Sequence, residues 1–163
     1  MVNHIWSLLC RRSTIDSETN NLSIYDVFEQ LTIDLKIKTG NADKVTKINV
    51  PIEYEVVSLW SKSEDKVYSG EAKVEIIDPT GETGKVFEEP IEMPQTMKRL
   101  RTRLRISGFV AEKSGIYNFQ VSYRVKGEDK YKKVADIPLE IIIKKEIVSE
   151  LPNTNPSQAS IKN

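Results

Sequence analysis

The strictest constraint on the fold is an alternation of period two near the end of the chain. From residue 115 to 126, Tyr117, Phe119, Val121, Tyr123 and Val125 alternate with Asn118, Gln120, Ser122, Arg124 and Lys126. Successive side chains of a strand point to opposite faces, so this stretch predicts a half-buried antiparallel strand. The next stretch repeats the pattern: Ala135, Ile137, Leu139, Ile141 and Ile143 against Asp136, Pro138, Glu140, Ile142 and Lys144. The polar residues 127–133 join the two as a hairpin loop. Pro138 has no N–H to donate, which predicts that this strand lies at an edge or leaves its sheet there.

Other segments follow the same rule. Ala72, Val74 and Ile76 alternate with Glu71, Lys73 and Glu75, and the strand ends at Asp78-Pro79-Thr80-Gly81, a turn with proline preset at its second position. Leu100, Thr102, Leu104 and Ile106 alternate with Arg99, Arg101, Arg103 and Arg105. Ile52, Tyr54 and Val56 face one way, after which Val57 and Leu59 make the strand apolar on both faces. That predicts a bulge or a strand covered on both sides. Residues 4–12 read as a strand. Residues 22–37 are ambiguous. Ile24, Val27, Phe28 and Leu31 have helical spacing, and Ser23 with Asp26 could form a capping box, whereas Ile33, Leu35 and Ile37 alternate as a strand does. Residues 39–49 read as a polar loop, and residues 82–94 as irregular with at most one short strand. Residues 149–163 lack aromatics and carry two prolines, which reads as a disordered tail.

The count is seven or eight strands and no long helix, in one domain over residues 1–148. The fold class is all-β, a two-layer antiparallel sandwich. With 39% apolar and 29% charged residues, a thin core and a solvated exterior are expected.

Two resemblances follow. Glu112-Lys113-Ser114-Gly115-Ile116-Tyr117-Asn118-Phe119 resembles the corner of immunoglobulin-like domains, in which a tyrosine hydroxyl bonds back to the preceding turn. Tyr117 would be that tyrosine. Phe119 stands where an immunoglobulin places a cysteine, and Trp60 would be the core tryptophan opposite it. More widely, Leu8-Leu9-Cys10, Asn21-Leu22-Ser23-Ile24, Ile77-Asp78-Pro79-Thr80-Gly81, Ser114 to Phe119 and Ile137-Pro138-Leu139-Glu140-Ile141 are together similar to a family of uncharacterised bacterial β-sandwich domains of the DUF6941 type. That resemblance implies strand over residues 22–33. It implies no activity and no site residues.

The chemistry expected is sparse. There is one histidine, His4, and one cysteine, Cys10. If both face one side of a strand they stand ~20 Å apart, too far for a catalytic dyad. One histidine and one cysteine do not make a zinc site, and no EF-hand loop is present. Asn41-Ala42-Asp43 or Glu128-Asp129 could offer oxygen ligands, and Glu88-Glu89 and Glu64-Asp65 read as solvated surface. Gly81-Glu82-Thr83-Gly84 lacks the lysine-serine pair of a phosphate loop. No catalytic residue, metal or cofactor is expected, and the chain is read as not an enzyme. A lone cysteine gives no internal disulfide, no apolar run reaches a membrane span, and residues 1–12 fail as an export signal. A cytoplasmic protein with no membrane partner is the expectation.

The basic and acidic residues balance at 24 each, which argues against nucleic acid as the main partner. The most distinctive feature is the arginine stripe: Arg99, Arg101, Arg103 and Arg105 project from one face at ~6.6 Å intervals. It is either an anion-binding face, for a nucleic-acid backbone or an acidic protein, or a solvent face neutralised by acidic strands such as Glu53 with Glu55 or Glu71 with Glu75. Tyr131, at the tip of the last hairpin loop, is a candidate partner contact. So is the patch of Val57 and Leu59, which is either covered by the 39–49 loop or a contact between copies of the chain. The function expected is a protein-interaction module, with anion or nucleic-acid backbone binding as the alternative.

Overall fold

The structure is a computed structural model that describes residues 2–38 and 47–148. The tail expected at 149–163, the Asn41-Ala42-Asp43 segment and most of the 39–49 loop lie outside the described residues. Nine strands and no helix are found among the described residues: β1 (Val2–Ile15), β2 (Leu22–Val27), β3 (Gln30–Lys38), β4 (Ile48–Lys62), β5 (Tyr68–Ile77), β6 (Thr83–Met93), β7 (Arg99–Ala111), β8 (Gly115–Val125) and β9 (Lys132–Val148). They form two packed sheets, ordered β2-β1-β4-β7 and β3-β9-β8-β5-β6. The all-β sandwich is as expected, with two corrections. There is at least one strand more than counted, and the β3·β9 pair is parallel.

The ambiguous segment 22–37 is strand, but in two sheets. β2 pairs antiparallel with β1, then the chain crosses to the other layer and β3 runs beside β9. The crossing is pinned on each side by one backbone bond. Phe28 N–H donates to Leu9 O at 2.9 Å, and Glu140 N–H donates to Glu29 O at 3.0 Å. Asp26 at φ 52° supplies the kink. A change of sheet breaks the period-two pattern, which is why helical spacing intrudes there. Pro138 falls just before this junction. β9 has an open edge until Glu140 and gains β3 from there on, so the missing N–H of Pro138 faces no partner strand.

Residues 83–93, expected to be mostly irregular, form the eleven-residue edge strand β6. Its inward residues Ile91 and Met93 are fully buried, while Pro90 sits where an edge strand tolerates it. The Asp78-Pro79-Thr80-Gly81 turn forms as read: Asp78 Oδ1 accepts from Thr80 N–H at 2.7 Å and Glu82 N–H at 2.9 Å, and Gly81 takes φ 88°.

Both sheets contribute to one core. Trp60 and Phe119 are fully buried, but they do not face each other. Trp60 meets Tyr123 at 5.7 Å between ring centroids, whereas Phe119 meets Tyr54 at 5.9 Å and Phe109 at 6.3 Å. The expected Trp60–Phe119 opposition is therefore replaced by two aromatic clusters side by side. The tyrosine corner forms. Tyr117 Oη accepts from Glu112 N–H at 3.1 Å and donates to Lys113 O at 3.2 Å, with its ring edge-on to Phe109 at 5.1 Å.

Candidate functional site

β1 is paired on both sides only at Cys10. Residues 2–10 lie against β4, and residues 10–15 lie against β2. This offset controls the outer face of the four-stranded sheet. Cross-strand partners share a face, so that face consists of rows: Trp6–Leu59–Arg101, Leu8–Val57–Arg103, and Val27–Cys10–Glu55–Arg105. The arginine stripe does point outward from one face, as expected. Its neighbours on β4 are Ser61, the apolar Leu59 and Val57, and a single acid, Glu55. Glu71 and Glu75 belong to the other sheet.

Beyond Cys10, β1 departs from β4 and the β1–β2 hairpin arches over the outer face. Two contacts hold it there. Ser13 donates to Glu55 Oε2 through both its backbone N–H (3.0 Å) and its hydroxyl, and Arg105 Nε donates to Glu55 Oε1 at 2.9 Å. At the hairpin tip, Arg101 Nη1 donates to Asn20 O at 2.9 Å and Asn20 Oδ1 at 3.2 Å. The tip itself is tied by Asp16, whose Oδ1 accepts from Thr19 N–H at 2.6 Å. Val57 is 0% exposed and so offers no contact surface, while most of the 39–49 loop expected to cover it lies outside the described residues. Leu59 is half-buried.

Glu55 is the electrostatic centre of this arrangement. Burial alone raises its pKa, but the Ser13 hydroxyl, the Arg105 guanidinium and the Ser13 N–H outweigh that and leave it below the ordinary carboxylate value. Burial, with the same negative charge added to it, pushes the Cys10 thiol up to about 11. Arg99 and Arg103 are exposed and have no carboxylate partner among the described residues. The stripe is thus divided: two arginines fasten the hairpin and two remain free.

Tyr131 is committed within the chain. Its hydroxyl lies 3.1 Å from Glu71 Oε2 and 3.1 Å from Glu88 Oε1, and its ring packs against Lys73 Nζ (4.5 Å) and the Arg124 guanidinium (4.6 Å). Burial and the two carboxylates raise its pKa to about 12. Around it the outer face of the five-stranded sheet is a lattice of opposite charges, Glu71–Arg124 at 2.6 Å and Lys73–Glu75 at 2.9 Å. Glu88 is part of that face, but Glu89 corrects the expectation of a solvated pair. It turns inward to the Thr102 hydroxyl, which itself accepts from Trp60 Nε1–H at 3.2 Å, and burial raises the Glu89 pKa against that bond.

His4 and Cys10 do not share a face. A β-bulge at Ile5, between the His4 and Trp6 pairings, reverses the facing of β1. It brings His4 and Ser7 to the inner side together, with Ser7 Oγ 2.7 Å from His4 Nε2 and 2.6 Å from Ser58 Oγ. The imidazole stands edge-on to Trp60 at 5.1 Å. Burial lowers its pKa, opposed in part by a hydrogen bond to the Trp6 backbone. Among the described residues no group of metal-ligating side chains gathers.

Sequence reading missed a groove at the seam between the two sheets, along the half of β1 that lacks β2. It has a volume of about 470 Å³ and is lined by Leu8, Phe28, Ile137 and Pro138. Val27 and Ile116, 55% and 54% exposed, stand over it, and Glu29 and Glu140 also line it. Neither carboxylate has an ion-pair partner among the described residues. Ile116 could have been noticed as an apolar residue on the polar side of β8.

No protein-family model matches this sequence, and no curated protein matches it. Among solved structures the chain is similar to a glycosyl hydrolase family 2 member from Bacteroides cellulosilyticus, at 17% identity and a TM-score of 0.40 over 58% of this chain. It is also similar to a family 123 glycoside hydrolase from Clostridium perfringens, at 11% identity and a TM-score of 0.39 over 69% of this chain. A third is the N-terminal domain of PorA, at 10% identity and a TM-score of 0.30, covering 85% of this chain and 98% of that one. The chain spans only 14% and 23% of the first two. At these TM-scores the likenesses bear on neither substrate nor activity.

Proposed function

We propose that this chain is a non-enzymatic protein-interaction module that takes an extended peptide segment, apolar with basic flanks, into the seam groove between β1 and β9. The observation that carries this reading is the pair Val27 and Ile116. Both are more than half exposed and line one groove with an apolar floor, whereas the chain's other exposed apolar side chains, such as Ile5, Val67 and Ile147, line no such groove. Apolar patches rimmed by polar groups mark protein contacts. The unpaired Glu29 and Glu140 favour lysine or arginine on the incoming segment. Support for a non-catalytic role comes from His4, whose ring packs against Trp60 and whose nitrogens engage Ser7 and a backbone group. Support for an immunoglobulin-like classification, and for the relation to DUF6941-type domains, comes from the Tyr117 corner. No helix among the described residues is long and apolar enough to cross a membrane. The buried lone Cys10 accords with a cytoplasmic setting.

The test is selection from a random peptide library displayed on phage, followed by affinity measurement on the selected peptides. Selected sequences should carry alternating apolar residues between basic ones, and Ile116→Asp or Val27→Asp should weaken them by about tenfold or more. Peptides that bind the variants as tightly as the parent would overturn the assignment. So would a concentration-dependent dimer in sedimentation that Ile116→Asp dissolves, since the groove would then belong to a second copy.

A further inference from the structure

We propose that the mouth of the hairpin arch binds a phosphate monoester through Arg11, Arg12 and Arg105. These residues line one groove of about 580 Å³, where β1 has left β4 and runs beside β2 alone. Arg11 and Arg12 are consecutive and both exposed, although consecutive strand residues ordinarily face opposite ways. The curl of β1 keeps both in solvent. Neither has an ion pair among the described residues.

Arg105 is the positioned member of the set. Its Nε donates to Glu55 Oε1, and Glu55 is itself fixed by Ser13 on its other oxygen. The Glu55 side chain is 6% exposed and that of Arg105 72% exposed. A buried carboxylate thus holds the inner edge of the guanidinium. The two terminal nitrogens remain as a planar fork of donors toward the groove, the geometry that suits a tetrahedral oxyanion. Because Glu55 already has both oxygens engaged, it does not compete for Arg11 or Arg12. Glu53 is the other carboxylate lining the groove, and its charge weakens the site. With Arg105 paired to Glu55, Arg11 and Arg12 carry the uncompensated positive charge, and two such charges favour a dianion over a monoanion, hence a monoester over a diester.

The probes are inorganic phosphate and phenyl phosphate, titrated by calorimetry into the full chain at constant ionic strength, because exposed charge pairs are screened by salt. Saturable one-site binding is expected. Arg11→Gln with Arg12→Gln should weaken it by about tenfold or more while leaving the thermal midpoint in place, since neither residue holds the fold. Glu53→Gln should tighten it. Arg105→Gln should also weaken it, but it removes the partner of Glu55, so the double variant is the deciding one. Absence of saturation at millimolar phosphate overturns the proposal, as does affinity unchanged in the double variant. Equal binding of dimethyl phosphate would overturn the monoester assignment, because the site would then not read the second charge.

Discussion

Replacing Glu55 with glutamine tests the account of the hairpin arch most directly. The carboxylate is buried and accepts from three donors: the Ser13 N–H, the Ser13 hydroxyl and Arg105 Nε. Glutamine keeps the shape but has one carbonyl oxygen, so it serves either Ser13 or Arg105. The other side then meets an NH2 group that accepts nothing. Hydrogen bonds to a charged group contribute roughly 1.5–3 kcal/mol each, and a buried donor left unpaired costs a similar amount. The bond to the exposed Arg105 is discounted to about 0.5 kcal/mol for solvent screening. The expected loss for Glu55→Gln is therefore about 2–4 kcal/mol at neutral pH. For a domain of this size that lowers the thermal midpoint by roughly 5–15 °C.

Two assays separate this from a general weakening. Hydrogen exchange should accelerate in residues 11–27, the arch, before it does so in β5 and β8. The pH dependence should also differ. The folded-state pKa of Glu55 is depressed, so its contribution is fully present above the unfolded value near 4.5 and is lost as pH falls through the folded one. The gap between the parent and Glu55→Gln should thus close in acid. A variant within ~0.5 kcal/mol of the parent at pH 7, the range of ordinary surface changes, would refute the latch.

Three further outcomes are expected. Tyr117→Phe removes the corner bonds to residues 112 and 113 and should cost about 1–2 kcal/mol in denaturant unfolding, with an unchanged m-value. Tyr54→Phe should be neutral or stabilising by up to about 1 kcal/mol, because the Tyr54 hydroxyl is buried without a partner among the described residues. The folded His4 pKa lies below 6.5, so the unfolded chain takes up a proton first on acidification. Stability should decline as pH falls below 6.5, and His4→Gln should remove that part of the decline in melts across pH 5–7.

What the sequence disclosed and what it concealed divide along a physical line. β8 and β9 were legible because each has one buried and one solvated face, and the turn at Asp78 because proline and glycine fix its backbone. The outward direction of the arginine stripe was legible for the same reason as β8. β6 was not, because its first eight residues fully bury none of their side chains and include a glycine, a proline and two glutamates, which read as loop. Neither was the pairing of His4 with Ser7, since residues three apart share a strand face only when a bulge intervenes, and nothing in Ile5 announces one. Glu53 and Glu55 were considered as neutralisers of the stripe. Their fates differ because the register places Glu55 beside Arg105 and Glu53 beside Ser107, and a register across two strands is not written in either strand alone.

The two grooves have one cause. A strand of fourteen residues would ordinarily be paired along its length on both sides, yet β1 is paired twice only at Cys10. Before that residue it lacks β2, and the open half leaves the apolar seam under Val27 and Ile116. After it, β1 lacks β4, and the freed half curls over the sheet, carrying Arg11 and Arg12 toward Arg105. A sheet whose neighbours are offset along a shared strand must leave one backbone edge uncovered at each end. Edges left open invite aggregation unless bulges, prolines or charges disrupt them. Here the Ile5 bulge and Pro138 guard the first half and the Glu55–Ser13 contact caps the second. The unusual backbone features of the chain therefore gather where the offset makes them necessary, and the surfaces available for binding are the ones that those features leave open.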